Sequence, residues 1–318
     1  MELDHETIAR VVAAQLPGRR VLGIEDRGEW VRRTYRIALD DGDVVALKVR
    51  AHPEWLDSTL HERRVVETMA EHGLRMPRVL AADASGSVIP AGYVIQEWVG
   101  GQRLDGLLAR IGEDEALAVY RALGAFYRRI HAIRGPRSGV WFEDPEVTLP
   151  VSPNDYMYRA EIVEGCGKRA LDQGRITRRT YERAVAVWRE HLDYLQDHTP
   201  TLVHYSAFPW TIYLECEGGA WRIAKLTGLG DVLWWDPAVD LAMLRYPPFM
   251  EAPPTRWQAF LEGYGPAPEP RRLHLYAVLE RLCAAMGAYM APERPSNQAW
   301  AARALQDVDR FLDVVERG

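Results

Sequence analysis

Lysine is almost missing from this chain: of 39 basic residues only Lys48, Lys168 and Lys225 are lysines, so each survivor invites a reason. Basic runs are missing too, and 45 acidic residues leave a net charge of −6, which speaks against a nucleic-acid partner. Cysteine is scarce. Cys166, Cys216 and Cys283 are scattered with no CxxC spacing, so neither a disulfide framework nor a metal site is expected. No apolar run approaches the ~20 residues of a membrane span, and no charged-then-apolar leader opens the sequence. A cytoplasmic protein without membrane contacts is the expectation. What is present is a globular composition: 47% of residues are apolar, which excludes a disordered or fibrous chain. At about 150 residues per domain, 318 residues make two domains or one bilobed unit.

The first 99 residues come in strand-like bursts. Val21–Asp26 and residues 34–39 flank a loop at Arg27-Gly28-Glu29-Trp30, Asp41-Gly42 is a hairpin signal, and residues 44–49 form the next strand. Residues 58–72 carry Leu60, Val65, Val66 and Met69 at helical spacing, with Gly73 as the C-cap. Residues 77–82 and 92–98 read as two more strands before a hinge at Gly100-Gly101. The rest is mainly helical. An amphipathic helix at 113–133 has Leu117, Tyr120, Leu123, Tyr127 and Ile130 on one face. A Pro-rich loop at 136–153 and a helix at 177–196 follow. Two short strands at 211–215 and 221–226 come after a distinctive loop at 204–210. An α+β fold is expected, with a sheet-and-helix unit over 1–99 and a helical unit over 100–318.

Val45-Ala46-Leu47-Lys48 sets a lysine on a strand, and Glu62 follows on the helix. Such a pair can hold a cation against the α- and β-phosphates of ATP; a surface lysine and a surface glutamate are the plainer alternative. Further along come Leu123-Gly124-Ala125-Phe126-Tyr127-Arg128-Arg129-Ile130-His131, Leu202-Val203-His204 and Asp236-Pro237-Ala238-Val239-Asp240-Leu241-Ala242, then Phe260-Leu261-Glu262-Gly263-Tyr264. In this order they resemble the aminoglycoside phosphotransferase and choline kinase-like family of small-molecule kinases over nearly the whole chain. The resemblance implies a bilobed protein-kinase-like fold: a five-stranded antiparallel N-lobe with one helix, and a mainly helical C-lobe. It also implies that His131, His204, Asp236 and Asp240 brace the loop that carries the chemistry.

At the positions where the resemblance places function, this chain departs. Ser206 stands for the catalytic aspartate, after Tyr205 in place of glycine; Thr211 stands for the metal-binding asparagine, and Gly228 for the metal-binding aspartate. Asp231 fits a secondary acidic position. Phosphoryl transfer needs Mg²⁺ in a carboxylate-bearing oxygen shell and a carboxylate for the hydroxyl proton. ATP and Mg²⁺ are therefore not expected as cofactors, and Lys48 with Glu62 becomes a vestigial nucleotide site. Tyr205, Phe208, Trp210, Trp234 and Trp235 would wall the cleft with rings, Trp234 and Trp235 facing opposite sides; core packing is the alternative. Asp231, with Tyr205 and Ser206, is the candidate for proton transfer, desolvation by the rings favouring its protonated form; a turn or cap is the alternative. Lys225 is a possible site amine or an ordinary edge lysine. The leading expectation is a repurposed enzyme of bacterial secondary metabolism that cyclises, eliminates or isomerises an apolar or cationic small molecule. A non-catalytic pseudokinase binding a small molecule or partner is the first alternative, and an atypical active phosphotransferase the second.

Overall fold

The computed structural model describes residues 2–28, 32–50, 57–139, 152–247, 251–290 and 295–317. Glu29 and Trp30 of the first loop, and most of the Pro-rich stretch, lie outside them.

Ahead of the expected strands stands α1 (His5–Gln15), a helix the sequence reading did not place. Asp4 Oδ1 accepts from Thr7 N at 2.7 Å, satisfying one of the orphan N–H groups of the first turn. Its buried face is Ile8, Val11 and Val12. β1 (Val21–Asp26), β2 (Arg32–Leu39) and β3 (Val44–Arg50) form an antiparallel meander. The β2–β3 turn closes at Gly42 with φ +89°, a conformation that favours glycine. α2 (Asp57–Glu71) ends at Gly73, φ +71°, where Leu74 N donates to Met69 O. β4 (Val79–Asp83) and β5 (Tyr93–Glu97) complete a five-stranded antiparallel sheet of order β1-β2-β3-β5-β4.

Beyond Gly101 come β6 (Gln102–Arg103), α3 (Leu104–Leu108), α4 (Glu113–His131), α5 (Pro153–Tyr156), a π-helix (Met157–Val163) and α6 (Cys166–Asp172). The single helix expected at 177–196 is two, α7 (Arg178–Glu190) and α8 (Leu192–Gln196), because His191 leaves helical geometry at ψ 7°. Then follow β7 (Thr201–Val203), β8 (Ile212–Glu217), β9 (Ala220–Leu226), a 3₁₀ turn at Leu229–Asp231 and β10 (Leu233–Trp235). α9 (Ala238–Arg245), α10 (Pro254–Tyr264), α11 (Pro270–Met290) and α12 (Pro295–Arg317) close the chain. β6 joins the β8–β9 hairpin in one small sheet, and β7 pairs with β10 in another.

Two apolar cores result. The α1 face packs with Tyr35, Ile37, Val45, Leu47 and Ile95 of the five-stranded sheet. Val65, Val66 and Met69 of α2 belong instead to the larger core of the helical part, so α2 couples the two. Within that core α4 meets α10 backbone to backbone. A Cβ on Gly124 would lie 2.0 Å from Phe260 O, and one on Gly263 would lie 2.2 Å from Arg121 O, so only glycine fits either place. Among the described residues no helix is long and apolar enough to cross a membrane.

Candidate functional site

Register on the sheet places the first functional side chain. Lys48 sits opposite Val94 on β5 and Thr34 on β2, and its ammonium reaches across to α2, where Nζ donates to Glu62 Oε1 at 2.7 Å. Both side chains are buried, Glu62 completely. The surface alternative is thus excluded: this is an interior ion pair. One residue before Glu62, the His61 ring lies 2.7 Å from Val232 O, tying the same helix to the segment after β9.

The loop from 204 to 211 is held from behind. Asp240, fully buried, accepts from His204 N and Tyr205 N, each at 2.8 Å, and lies 3.1 Å from His131 Nε2. His204 contacts Tyr127 OH through Nδ1 and Thr227 O through Nε2, and burial pushes its pKa below the ordinary 6.5. Asp236 accepts from Ala238 N at the start of α9, from Tyr276 OH and from Arg272. Asp240, with His131 and His204, braces this loop as the resemblance implied, whereas Asp236 ties the start of α9 to Tyr276 and Arg272.

The residues proposed for chemistry fall into two sets. Ser206, Gly228 and Asp231 do meet: Ser206 Oγ donates to Asp231 Oδ2 at 3.3 Å, and a Cβ on Gly228 would lie 2.7 Å from Ser206 Cβ and Oγ. Ser206 therefore fills the space that a side chain at 228 would need. Asp231 is exposed, so the desolvation invoked for it from a ring of aromatics does not occur. Thr211 is buried with its hydroxyl turned into its own loop, 2.8 Å from Phe208 O and 2.5 Å from Ser206 O. It locks the loop and offers nothing outward. For Mg²⁺, which usually takes one or two carboxylates together with waters and substrate phosphates, this floor offers one exposed carboxylate and one serine hydroxyl.

The aromatic wall is largely core. Trp235 is completely buried, with its Nε1 donating to Asn154 Oδ1 and its ring edge-on to Tyr205 and Tyr276. Trp234 points the other way on β10 and lies against Gly135, where a Cβ would meet its ring at 2.5 Å. Alternate residues of a strand face opposite sides, so the two rings part, Trp235 into the core and the partly exposed Trp234 onto Gly135, and neither lines the cavity beside Lys48. Tyr205 turns inward as well: its ring packs on Trp235, its hydroxyl contacts Met157 Sδ at 3.5 Å, and burial raises its pKa well above 10. It is not placed for proton transfer. Phe208 and Trp210 stack on one another at 4.7 Å, both partly exposed.

A cavity of about 400 Å³ lies beside Lys48, and the sequence reading found only part of it. Its lining runs from Thr34, Ala46 and Lys48 through Gln96 and Trp98 to Gly101, then Tyr213, Lys225 and Thr227. Four cationic side chains line it, Arg27, Lys48, Arg103 and Lys225, against one carboxylate, Glu97. Lys225 is the decisive one. From β9 its ammonium donates to Val99 O at 3.0 Å and lies 4.3 Å from the Tyr213 ring and 4.9 Å from the Trp98 ring. The scarcity of lysine was the available signal, since two of the three lysines meet in this one cavity.

Residues 24–276 match the model of a phosphotransferase enzyme family. The chain belongs to that family. Solved structures similar to this family member include the GDP complex of aminoglycoside 2′-phosphotransferase-IIIa, at 15% identity and TM-score 0.68 over 98% of each chain. The gentamicin complex of APH(2″)-IIa matches at 16% identity and TM-score 0.67, covering 98% of this chain and 96% of that one. Macrolide 2′-phosphotransferase MphH from Brachybacterium faecium matches at 19% identity and TM-score 0.62, over 94% and 98%. At such identities the likeness establishes the shared kinase-like fold. No curated protein matches this phosphotransferase-family chain in sequence.

Proposed function

We propose that this phosphotransferase-family chain binds a planar anionic small molecule in the cleft beside Lys48 and does not transfer phosphate from Mg²⁺–ATP. The observation that carries this reading is Lys225. Its ammonium covers the Val99 carbonyl and stands between two aromatic rings, so a ligand entering there meets a donor where the backbone alone would present an acceptor. An oxo or carboxylate edge suits that donor, and Trp98 and Tyr213 suit a flat ring system. Four cationic side chains line the space against one carboxylate, Arg27, Lys48 and Arg103 also pairing with Glu25, Glu62 and Asp105, and this favours an anionic ligand over the apolar or cationic one expected from the sequence. The Lys48–Glu62 pair keeps a buried cation at the inner end.

Thermal shift and isothermal titration without metal, using GMP and flavin mononucleotide as probes, test this. Binding is expected to weaken at least about tenfold in Lys225→Met, the scale on which losing a charge-assisted contact operates. A rise in melting temperature that requires both ATP and Mg²⁺, or transfer of the γ-phosphate to an aminoglycoside, would overturn it. The second reading, a repurposed enzyme, is favoured by the Ser206–Asp231 hydrogen bond alone. An organic substrate turned over without nucleotide, with the rate lost in Asp231→Asn while probe binding is unchanged, would establish it instead.

A further inference from the structure

On the far side of Tyr205 from the solvent lies a group of side chains that the cleft does not use. Glu161 on the π-helix, Cys166 at the start of α6 and Cys283 on α11 bring one ligand atom each to within 4.8 Å of one another. Cys166 Sγ is 3.0 Å and Cys283 Sγ 3.8 Å from the same atom, Glu161 Oε2. A tetrahedral zinc site with two thiolates and carboxylate oxygens has ligand–ligand separations of about 3.4–3.8 Å, from Zn–S near 2.3 Å and Zn–O near 2.1 Å. The observed spacing is within a small side-chain adjustment of that.

Two features show a place shaped for these groups. Glycines flank Cys166 on both sides, and each is in backbone contact with the π-helix: a Cβ on Gly165 would lie 2.1 Å from Ala160 O, and one on Gly167 would lie 2.3 Å from Ile162 O. That close approach brings the thiol of Cys166 to Glu161. The π-helix itself offsets Glu161 from ordinary helical spacing, with Glu164 N donating to Arg159 O five residues back. Independently, Glu280 stands one turn before Cys283 on α11, on the same face. It is 7% exposed, and its Oε1 has no hydrogen-bond partner. Glu161 and Cys283 are both among its electrostatic neighbours. The adjacent Arg281 sends its guanidinium to Asp307 and Tyr246 O. Burial pushes the Glu280 carboxyl up to about 8, so its charged form beside two thiols and a second carboxylate is costly unless a cation offsets it.

We propose that Glu161, Cys166 and Cys283 bind one soft divalent cation of the zinc class, with the buried Glu280 carboxylate, one turn from Cys283, supporting the site. The two sulfurs select a thiophilic ion over Mg²⁺ or Ca²⁺. It ties the π-helix and α6 to α11 beneath the loop that carries Tyr205 and Ser206. Cysteine spacing in the sequence conceals it, because Cys166 and Cys283 are far apart in the chain and neither belongs to a CxxC pair.

The reference protein for the test is the full chain carrying Cys216→Ser, which removes an exposed thiol outside the cluster. It is stripped with chelator and titrated with Co²⁺ and with Zn²⁺. One ion per chain, a thiolate-to-cobalt charge-transfer band, and a melting temperature raised by Zn²⁺ are expected. The band should vanish in Cys166→Ser and in Cys283→Ser. Glu280→Gln should weaken Zn²⁺ at least about tenfold, the least that a group supporting a metal site contributes. No band in the unmutated cluster, a band that survives both serine variants, or a Cys166–Cys283 disulfide in freshly purified protein would each overturn the proposal. Because the stripped reference protein is folded or unfolded by its own circular dichroism spectrum, a serine variant that fails to fold leaves the titration and the Glu280→Gln comparison to decide.

Discussion

At the scale of single residues, burial decides which polar groups matter. Lys48 and Glu62 stabilise each other inside the protein, so removing one strands the other. Lys48→Met is expected to destabilise the fold by about 3–5 kcal/mol in urea unfolding, and adding Glu62→Leu should recover most of that, since a buried pair can be exchanged for apolar packing at little net cost. Tyr205 is a different case. Among the described residues it alone of the non-glycines has positive φ, at +51°, which costs about 1–2 kcal/mol for an ordinary side chain. Its ring against Trp235 offsets that strain. Tyr205→Phe should change stability by less than about 0.5 kcal/mol, because the hydroxyl reaches only a weak sulfur acceptor. Tyr205→Gly should be net destabilising despite relieving the backbone, because the ring's packing is lost with it. His204 contributes to the pH dependence, as does the half-buried His274, whose pKa burial also lowers. The folded pKa of His204 lies below the unfolded 6.5, so its contribution is fully present above that pH and is lost as pH falls through and below it. The fall in melting temperature between about pH 7 and about pH 5 should be shallower in His204→Gln.

At the scale of elements, the contacts that leave no room are the ones to test. α4 and α10 touch through Gly124 and Gly263, and a methyl group on Gly124 would overlap a carbonyl oxygen that has nowhere to go. Gly124→Ala should cost about 3 kcal/mol or more, read as a lower urea midpoint with an unchanged m-value. Much at this scale was legible. Asp41-Gly42 marked the β2–β3 turn, Gly73 marked the end of α2, and the apolar spacing of α4 matches the buried face that includes Tyr120, Leu123, Tyr127 and Ile130. α1 was legible as well and was missed: Asp4 as N-cap, then Ile8, Val11 and Val12 at helical spacing, form the usual signature of a helix start. The π-helix was not legible, since an i→i+5 turn leaves no distinct periodicity in seven residues.

At the scale of the whole molecule, the cleft is an assembly of distant pieces. Lys48 from the sheet, Trp98 from the hinge, and Tyr213 with Lys225 from the β8–β9 hairpin share one cavity. Gly101 makes the junction possible: at φ +103° it brings the chain close enough that a Cβ would sit 3.0 Å from Leu214 O, and β6 then pairs with β8. A change there should act on ligand binding through geometry. Gly101→Ala is expected to weaken probe binding by titration calorimetry while Lys48 and Lys225 remain present, because the positive φ and the contact with β8 both oppose a side chain.

The amino-acid order alone determined the family, the run of strands into helices, and the serine at 206 and glycine at 228. These are properties of single positions and of local periodicity, which neighbouring residues along the chain are enough to set. Tertiary structure alone decided where the aromatic rings went, because a tryptophan has the same local signature in a core and in a cleft. It also brought Lys225 to Val99 and Cys283 to Glu161, pairs far apart in sequence whose meeting depends on how whole elements pack.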